Sequence, residues 1–389
     1  MRRFSAPERR ARLVERHHLS GPAADVETVA ADLVGLHSSD PVTVFLSARA
    51  RLADFRIADM EEALYERRSL VRMLGMRRTL FAVPVDLAST MQIACTSHLV
   101  AAERRRLVAM LEEQGVASDG ERWLRGVEEA TLAAVREFGE ATAVELTAVV
   151  PELSEKLMFG EGKTWGGIVG VSTRVLFLLA TTGRILRGRP RGSWKSSQYR
   201  WAETDVWLDG GLAALDPEWA EAELLRRWLM SYGPGTITDL RWWTGWTLSK
   251  TRAALSRLDT VQVELDDGPG VVLADDLETG SSDDPSVVLL PGLDPSVMGW
   301  KEREWFLGDL AALLFDSNGN AGPTVWVDGS IVGGWAQRPG GEIAFRLLRD
   351  VGSEARAALA AEAAALSEWL GDDRIKPRFR TPLEQELFG

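Results

Sequence analysis

Three stretches of this chain repeat one arrangement: helical segments closed by a short hairpin rich in turn residues. That repetition limits the fold more than any single motif does. The first stretch runs from about Pro7 to Pro84 and opens with a charged helix at residues 8–16. "DVETVAADLVGLH" follows, with Val26, Val29, Leu33, Val34 and Leu36 near helical spacing, so a helix is expected to run up to His37. "VTVFLSARARL" supplies a second apolar helix. Asp59 is the expected cap of "MEEALYER", with Glu61 and Glu62 in its first turn. "LVRMLGMRRTLFAVP" then reads as two short strands around a glycine-containing turn.

The second stretch, about Asp119 to Trp207, has an amphipathic helix at 121–138 and a short helix "ATAVELTAVVPEL" stopped by Pro151. "GIVGVSTRVLFLLATTGRI" reads as one buried helix. Behind it, "LRGRPRGSWKSSQYRWA" is strand, basic loop, strand, which is how the wing of a winged helix reads. The third, about Pro217 to Leu273, is helix, turn, helix, turn, helix, with Thr238 expected to cap one helix and Thr247 or Ser249 the next. "VQVELDDGPGVVLAD" completes it as a hairpin with a glycine-rich turn. From about Pro285 the character changes. "SVVLLPGLDP", "TVWVDGSIVGGWAQR" and "GEIAFRLL" are strands, and a long alanine-rich helix spans Glu354 to Leu370. That tail is expected to be a small β-barrel or sheet with one packed helix. A purely helical repeat would lack the hairpins, and a parallel α/β domain would show longer strands between its helices.

Composition removes several alternatives. Of 389 residues, 45% are hydrophobic and 15 are tryptophan, enough apolar mass for several cores. The single cysteine, Cys95, rules out an internal disulfide and a cysteine-rich zinc site, and suits a reducing cytoplasm. No apolar run reaches the roughly 18 residues of a membrane helix. The basic N-terminus lacks the apolar stretch of a signal peptide. The formal net charge is −12, yet residues 1–200 hold 29 basic against 25 acidic side chains and the remainder 16 against 32. A polyanion is therefore expected to meet the front half or a local basic strip. The acidic half reads as soluble surface or as a face for a protein partner.

Four segments carry a resemblance: "DLVGLHSSDPVTVFLSARAR", "GMRRTLFAVP", "SYGPGTITDLRWWTG" and "LLPGLDPSVMGW…VWVDGSIVGGW". Each is weak alone; together they span almost the whole chain. On them the chain resembles the AlkZ/YcaQ family of bacterial DNA glycosylases, which excise bulky alkylated bases and unhook interstrand crosslinks, some of them for self-resistance in antibiotic producers. The resemblance implies an α+β fold of three tandem winged-helix domains (1–118, 119–208, 209–284) and a C-terminal β-barrel domain (285–389), C-shaped around DNA. It implies a cytoplasmic, monomeric enzyme with no cofactor and no metal, acting on double-stranded DNA that carries bulky alkyl adducts.

One departure stands out. His37 and Ser39 occupy the positions where the family carries Gln-x-Gln or Gln-x-Asp, and in this the chain looks closest to divergent self-resistance members of the trioxacarcin type. The expected activity is hydrolysis of the N-glycosidic bond of bulky N7-alkylguanine. The rival is a non-catalytic winged-helix protein that binds DNA, sequesters a drug adduct or regulates transcription. An N7-alkylated guanine is already cationic, so it leaves without a strong general acid. A water must be placed, and positive charge on the sugar stabilised, in an oxocarbenium-like transition state. A histidine near its unperturbed pKa of about 6.5 can orient that water and take its proton. Ser39 can hydrogen-bond the water or a phosphate, and Asp40 can oppose the sugar's charge or orient the His37 ring.

Asp40 before Pro41 is also a helix entry, cap followed by first-turn proline, and the two roles are compatible. Ser38 reads as an ordinary loop serine. His17 and His18 are expected to be solvated on a charged helix; His98 cannot be oriented. The expected DNA contacts are Arg187, Arg189, Arg191 and Lys195 on the wing, Arg77 and Arg78 at the first hairpin turn, and Trp335, Gln337 and Arg338 at the tip of "GGWAQRPGG". Trp194 and Trp335 serve a core reading equally well. Base flipping suits small lesions and a bulky adduct would not easily fit a snug pocket; the family resemblance implies an open channel that reads the lesion in the duplex, with flipping left open.

Overall fold

The computed structural model describes residues 1–160, 162, 166–278, 285–377 and 380–388. The chain divides into two compact units, one of Met1–Ala63 with Glu221–Gly389 and one of Leu64–Ala220. The break at Ala63 falls inside the stretch expected to form the first winged helix.

The N-terminal part of the first unit contains β1 (Arg3–Phe4), α1 (Ala6–Arg16), α2 (Val26–Asp32), β2 (Leu36–His37), α3 (Pro41–Arg49) and α4 (Ile57–Glu61). Ser5 and Glu8 cap α1 reciprocally, the Ser5 N–H donating to Glu8 Oε2 at 2.7 Å. The periodic run after Asp25 does not remain helical up to His37. α2 stops at Asp32, Val34 and Gly35 take φ of 52° and 100°, and the chain re-emerges as the two-residue β2. Gly35 breaks the pattern because this backbone conformation costs it little. Nor does Asp59 sit at the cap of α4: it is the third helical residue, its carboxylate accepting from the Arg56 N–H at 2.8 Å.

The second unit contains β3 (Leu70–Leu74), β4 (Leu80–Pro84), α5 (Val85–Met91), α6 (Val100–Glu113), α7 (Gly120–Phe138), β5 (Glu140–Ala141), α8 (Ala143–Val149), β6 (Lys156–Phe159), β7 (Gly167–Gly170), α9 (Val171–Thr181), β8 (Ile185–Pro190), β9 (Tyr199–Glu203) and α10 (Thr204–Trp207). The hairpin β3–β4 and the wing β8–β9 both form as expected, but in one sheet. Its strands in this unit run β4-β3-β8-β9-β5, joined where Arg72 faces Arg187. The expected single helix over 167–185 begins instead as β7, which pairs antiparallel with β6, and α9 starts at Val171. The core packs α7 and α9 through Leu124, Val135, Val175 and Leu179.

The chain returns to the first unit through α11 (Pro217–Tyr232), α12 (Ile237–Thr244), α13 (Leu248–Leu255), β10 (Thr260–Leu265) and β11 (Gly268–Leu273). Thr236 caps α12, two residues before the expected Thr238, and Thr247 caps α13. The β10–β11 turn is Asp266–Asp267, with the glycines inside β11, and β1 adds to β10 in parallel. Then come β12 (Val287–Leu290), α14 (Pro295–Met298), α15 (Glu304–Leu307), α16 (Ala311–Leu314), β13 (Thr324–Val327), β14 (Ser330–Gln337), β15 (Ile343–Leu347), α17 (Gly352–Leu370) and α18 (Pro382–Phe388). These strands form an antiparallel sheet in the order β12-β13-β14-β15. It is open, with β12 and β15 as its edges, so the expected barrel is not closed among the described residues. Trp228, Tyr232, Trp300, Trp305, Phe306 and Trp326 form a continuous aromatic core, neighbouring centroids 4.7–6.4 Å apart.

Candidate active site

The segment Gly35–Pro41 is held at both ends. At its start the Gly35 N–H reaches back to the Ala30 carbonyl at 2.7 Å. Tyr232 donates its hydroxyl to the Leu33 carbonyl at 2.8 Å, and Ser231 donates to the carbonyl of Asp32. At its end Asp40 is the N-cap of α3, its Oδ1 accepting from the Val42 N–H at 3.1 Å, with Pro41 as first helical residue. The expected helix entry is therefore what forms. His37 and Ser38 are buried, whereas Ser39 and Asp40 are half-buried. The carboxylate and the serine thus stand at the surface edge of a loop whose histidine lies beneath.

α3 itself is buried along almost all of its length, and a polar network fixes its position. Thr43 donates to the Gly292 carbonyl at 2.8 Å. Ser47 donates to Asp294 at 2.7 Å, and Arg51 holds both Asp294 oxygens at 2.8 and 2.9 Å. Arg51 also donates to the His17 carbonyl and to Ser296, which contacts His17 Nδ1 at 2.8 Å. Burial disfavours charge on Asp294, but Arg51 and the hydrogen bonds from Ser47 and the Ser296 N–H outweigh it and hold the carboxyl below its ordinary range. His17 is completely buried, contrary to the expected solvation. That burial, reinforced by Arg51, pushes its pKa down to about 3. His18 pairs with Asp32 at 2.7 Å, and His98 is exposed.

The Asp40 charge in turn acts on a second carboxyl, that of Glu384. A Cβ placed on Gly292 would lie 3.3 Å from the Ala321 carbonyl, and one on Gly322 would meet Thr381 at 2.6 Å. This close stack carries Thr381, and with it the first turn of α18, towards the α3 entry. Glu384 on that turn is buried and reciprocally paired with Thr381. Burial, opposed by Thr381 and Arg380 and reinforced by the Asp40 charge, raises the Glu384 pKa to about 7.

The expected DNA contacts are placed unevenly. In the first unit, Trp335 is buried and donates its indole N–H to the Leu290 carbonyl at 2.9 Å. Gln337 is buried, donating to the Asp373 carbonyl and accepting from the Ile375 N–H. Both pack the sheet instead of standing at an exposed tip. Arg338 is half-exposed and pairs with Glu342 at 3.3 Å.

In the second unit, Arg77 and Arg78 form the β3–β4 turn with φ of 52° and 63°. Burial lowers the Arg77 pKa to about 10; Arg78 pairs with Glu103. Arg187 stacks on Trp201 at 4.6 Å, its pKa lowered to about 10 by burial. Arg189 stacks on Tyr65 and pairs with Glu66 at 2.6 Å. Arg191 is exposed, Lys195 half-buried, and Trp194 takes the core role.

Sequence reasoning missed Arg51, Asp294 and Glu384. Asp294 did carry a signal: "DP" occurs at 40–41, 216–217, 284–285 and 294–295, and the first, second and last of these open helices.

The sequence profile described as "DNA glycosylase AlkZ-like" matches residues 30–369. The chain belongs to the AlkZ-like DNA glycosylase family. It is accordingly a DNA N-glycosylase. Among solved structures, Streptomyces sahachiroi DNA glycosylase AlkZ is similar to it, with a TM-score of 0.69 and 19% identity over 94% of this chain and 97% of that one. No curated protein matches the sequence. Within this AlkZ-like chain the profile takes in both the Gly35–Pro41 loop and the Asp294 segment that anchors it.

Proposed function

We propose that this AlkZ-like protein excises bulky N7-alkylguanine from double-stranded DNA, the adduct being antibiotic-derived, with His37, Ser39 and Asp40 as the reacting loop. The anchoring of that loop carries the proposal: Asp40 caps α3 at 3.1 Å, and α3 is pinned by Arg51 and Asp294. A rigid loop is what water placement requires, because effective catalysis depends on near-attack geometry.

In this mechanism the alkylated guanine departs as a neutral base and its bonding electrons neutralise the ring cation. The sugar becomes oxocarbenium-like. The Asp40 carboxylate, at the N-terminus of α3, opposes that charge. His37 takes a proton from the water that adds to the sugar carbon, and Ser39 orients that water. The products are an abasic site and free alkylated guanine. The helix-plus-hairpin groups at 1–118, 119–208 and 209–284 are proposed as winged helices that grip the duplex, and Arg77, Arg78, Arg187, Arg189, Arg191, Lys195 and Arg338 as its contacts.

Single-turnover incubation with duplexes bearing defined N7-alkylguanines tests this. Free adduct and alkali-labile sites are expected, undiminished by chelator. Removal of one catalytic group costs 10²–10⁴-fold in comparable steps, so His37→Ala and Asp40→Asn are each expected to lose about that much. A His37→Ala protein at full rate would remove His37 from the mechanism.

A further inference from the structure

Away from the Gly35–Pro41 loop, three guanidinium groups of the second unit gather around two phenylalanine rings. Arg174 of α9 lies 3.7 Å over Phe159, and Arg106 of α6 lies 4.4 Å over the same ring. Arg78, from the β3–β4 turn, lies 5.7 Å over Phe177. Arg106, Arg174 and both rings line one shallow depression with Glu103, its only acidic side chain among the described residues, and Glu103, paired with Arg78, connects the third guanidinium to it.

Among the described residues, neither Arg106 nor Arg174 has a carboxylate within ion-pair distance, and the Arg174 Nε is buried without a hydrogen-bond partner. Burial lowers the Arg174 pKa, and the neighbouring charges of Arg106 and Arg78 lower it further while Glu103 opposes. Such crowding is unfavourable in the protein alone. A protein that spends three arginines on one carboxylate has room for a further anion.

The stacking says which kind. A guanidinium laid on an aromatic face has its plane fixed, and its N–H donors remain in that plane. Planar, oriented donors suit the oxygens of a phosphate better than a diffuse counter-ion. Arg106 is exposed and Arg78 is half-exposed, so the ligand can be large and approach from solvent. The surroundings select a polymer: in a chain of net charge −12, a local positive patch with no enclosed cavity is an electrostatic footprint for a polyanion.

We propose that Arg78, Arg106 and Arg174 form a docking site for phosphodiester groups of the DNA backbone. The identity of the polymer rests on the glycosylase reading above; the anion site rests on the geometry alone. It positions the duplex without reading sequence, as phosphate contacts do. Glu103 sets the strength of the site by neutralising one of its three charges.

The test is the salt dependence of binding to undamaged duplex DNA, with inorganic phosphate as competitor. Each phosphate contact contributes about 0.9 to the slope of log affinity against log salt. Arg106→Gln and Arg174→Gln are each expected to reduce the slope by about one contact, and the double variant by about two. Arg106→Lys and Arg174→Lys keep the charge and are expected to retain the slope, which separates loss of charge from loss of packing. Glu103→Gln is expected to bind more tightly, a gain that damage to the fold would not produce.

An unchanged slope in the double Gln variant overturns the proposal. So does a pattern in which inorganic phosphate protects the wild type alone while DNA binding is identical in all variants, which would mark an isolated anion site. Base release from adducted DNA by the wild type is read in parallel. Its absence with an altered slope would sink the glycosylase reading and spare the patch.

Discussion

Arg51 carries its charge with no exposed side-chain surface, and so does its partner Asp294. A buried charge persists only when paired and fully hydrogen-bonded, and here Ser47, Ser296 and the His17 carbonyl complete the set. Removing one partner leaves the other uncompensated. Arg51→Met is therefore expected to destabilise the protein by about 3–5 kcal/mol in chemical denaturation. Adding Asp294→Asn should restore part of that loss, and strictly additive effects would show that the pair is not coupled.

Two titrating groups act on stability in opposite directions. His17 has its pKa depressed from 6.5 to about 3, so the unfolded chain takes up a proton first as the pH falls, and stability drops between pH 6.5 and 3. Glu384 has its pKa raised from 4.5 to about 7; its contribution is complete below pH 4.5 and is lost as the pH rises towards 7. Urea melts from pH 4 to 8 check the second point. Glu384→Gln is expected to flatten the decline between those values, and an unaltered profile would place the titration elsewhere.

At the scale of elements, what matters is where helices stop. The apolar spacing of "DVETVAADLVGLH" gives no reason to break after Asp32, and periodicity alone extends the helix to His37. The positive φ of Val34 and Gly35 ends it, and tertiary bonds from Ser231 and Tyr232 take up the Asp32 and Leu33 carbonyls. An L-residue at φ of 100° is strained, at a cost of roughly 1–2 kcal/mol. Gly35→Ala is expected to lose about that much stability and to slow excision by disturbing the His37 loop. Wild-type turnover in that variant would mean the loop tolerates a shifted entry. The entry into α3, by contrast, was legible: Asp40 and Pro41 act locally, through a side chain and a fixed φ within two residues of the cap. Strands whose turns are local also formed as read. The Asp328–Gly329 turn, with φ of 48° and 71°, is one of these.

For the whole molecule, the first unit is assembled from the two ends of the chain, with 64–220 as a continuous second unit. β1 pairs with β10, Arg12 and Arg16 bind Asp276, and Arg51 binds Asp294. A fragment of residues 221–389 would leave Asp276 and Asp294 without these partners. It is expected to stay unfolded by circular dichroism until residues 1–63 are supplied, and cooperative folding of the fragment alone would contradict this dependence. No described helix is long and apolar enough to cross a membrane.

The sequence by itself determined the helix-and-hairpin composition, the Asp40-Pro41 helix entry and the family to which the chain belongs, because short-range capping, turn chemistry and periodicity are written in neighbouring residues. It also singled out the His37-Ser39-Asp40 loop as the candidate site, through motif position. Only the tertiary structure decided that His17, Trp335 and Gln337 are interior, that the β3–β4 and β8–β9 hairpins share a sheet, and that the Asp40 charge acts on Glu384. Those outcomes depend on burial and charge pairing between residues hundreds of positions apart, and no local pattern encodes such distances.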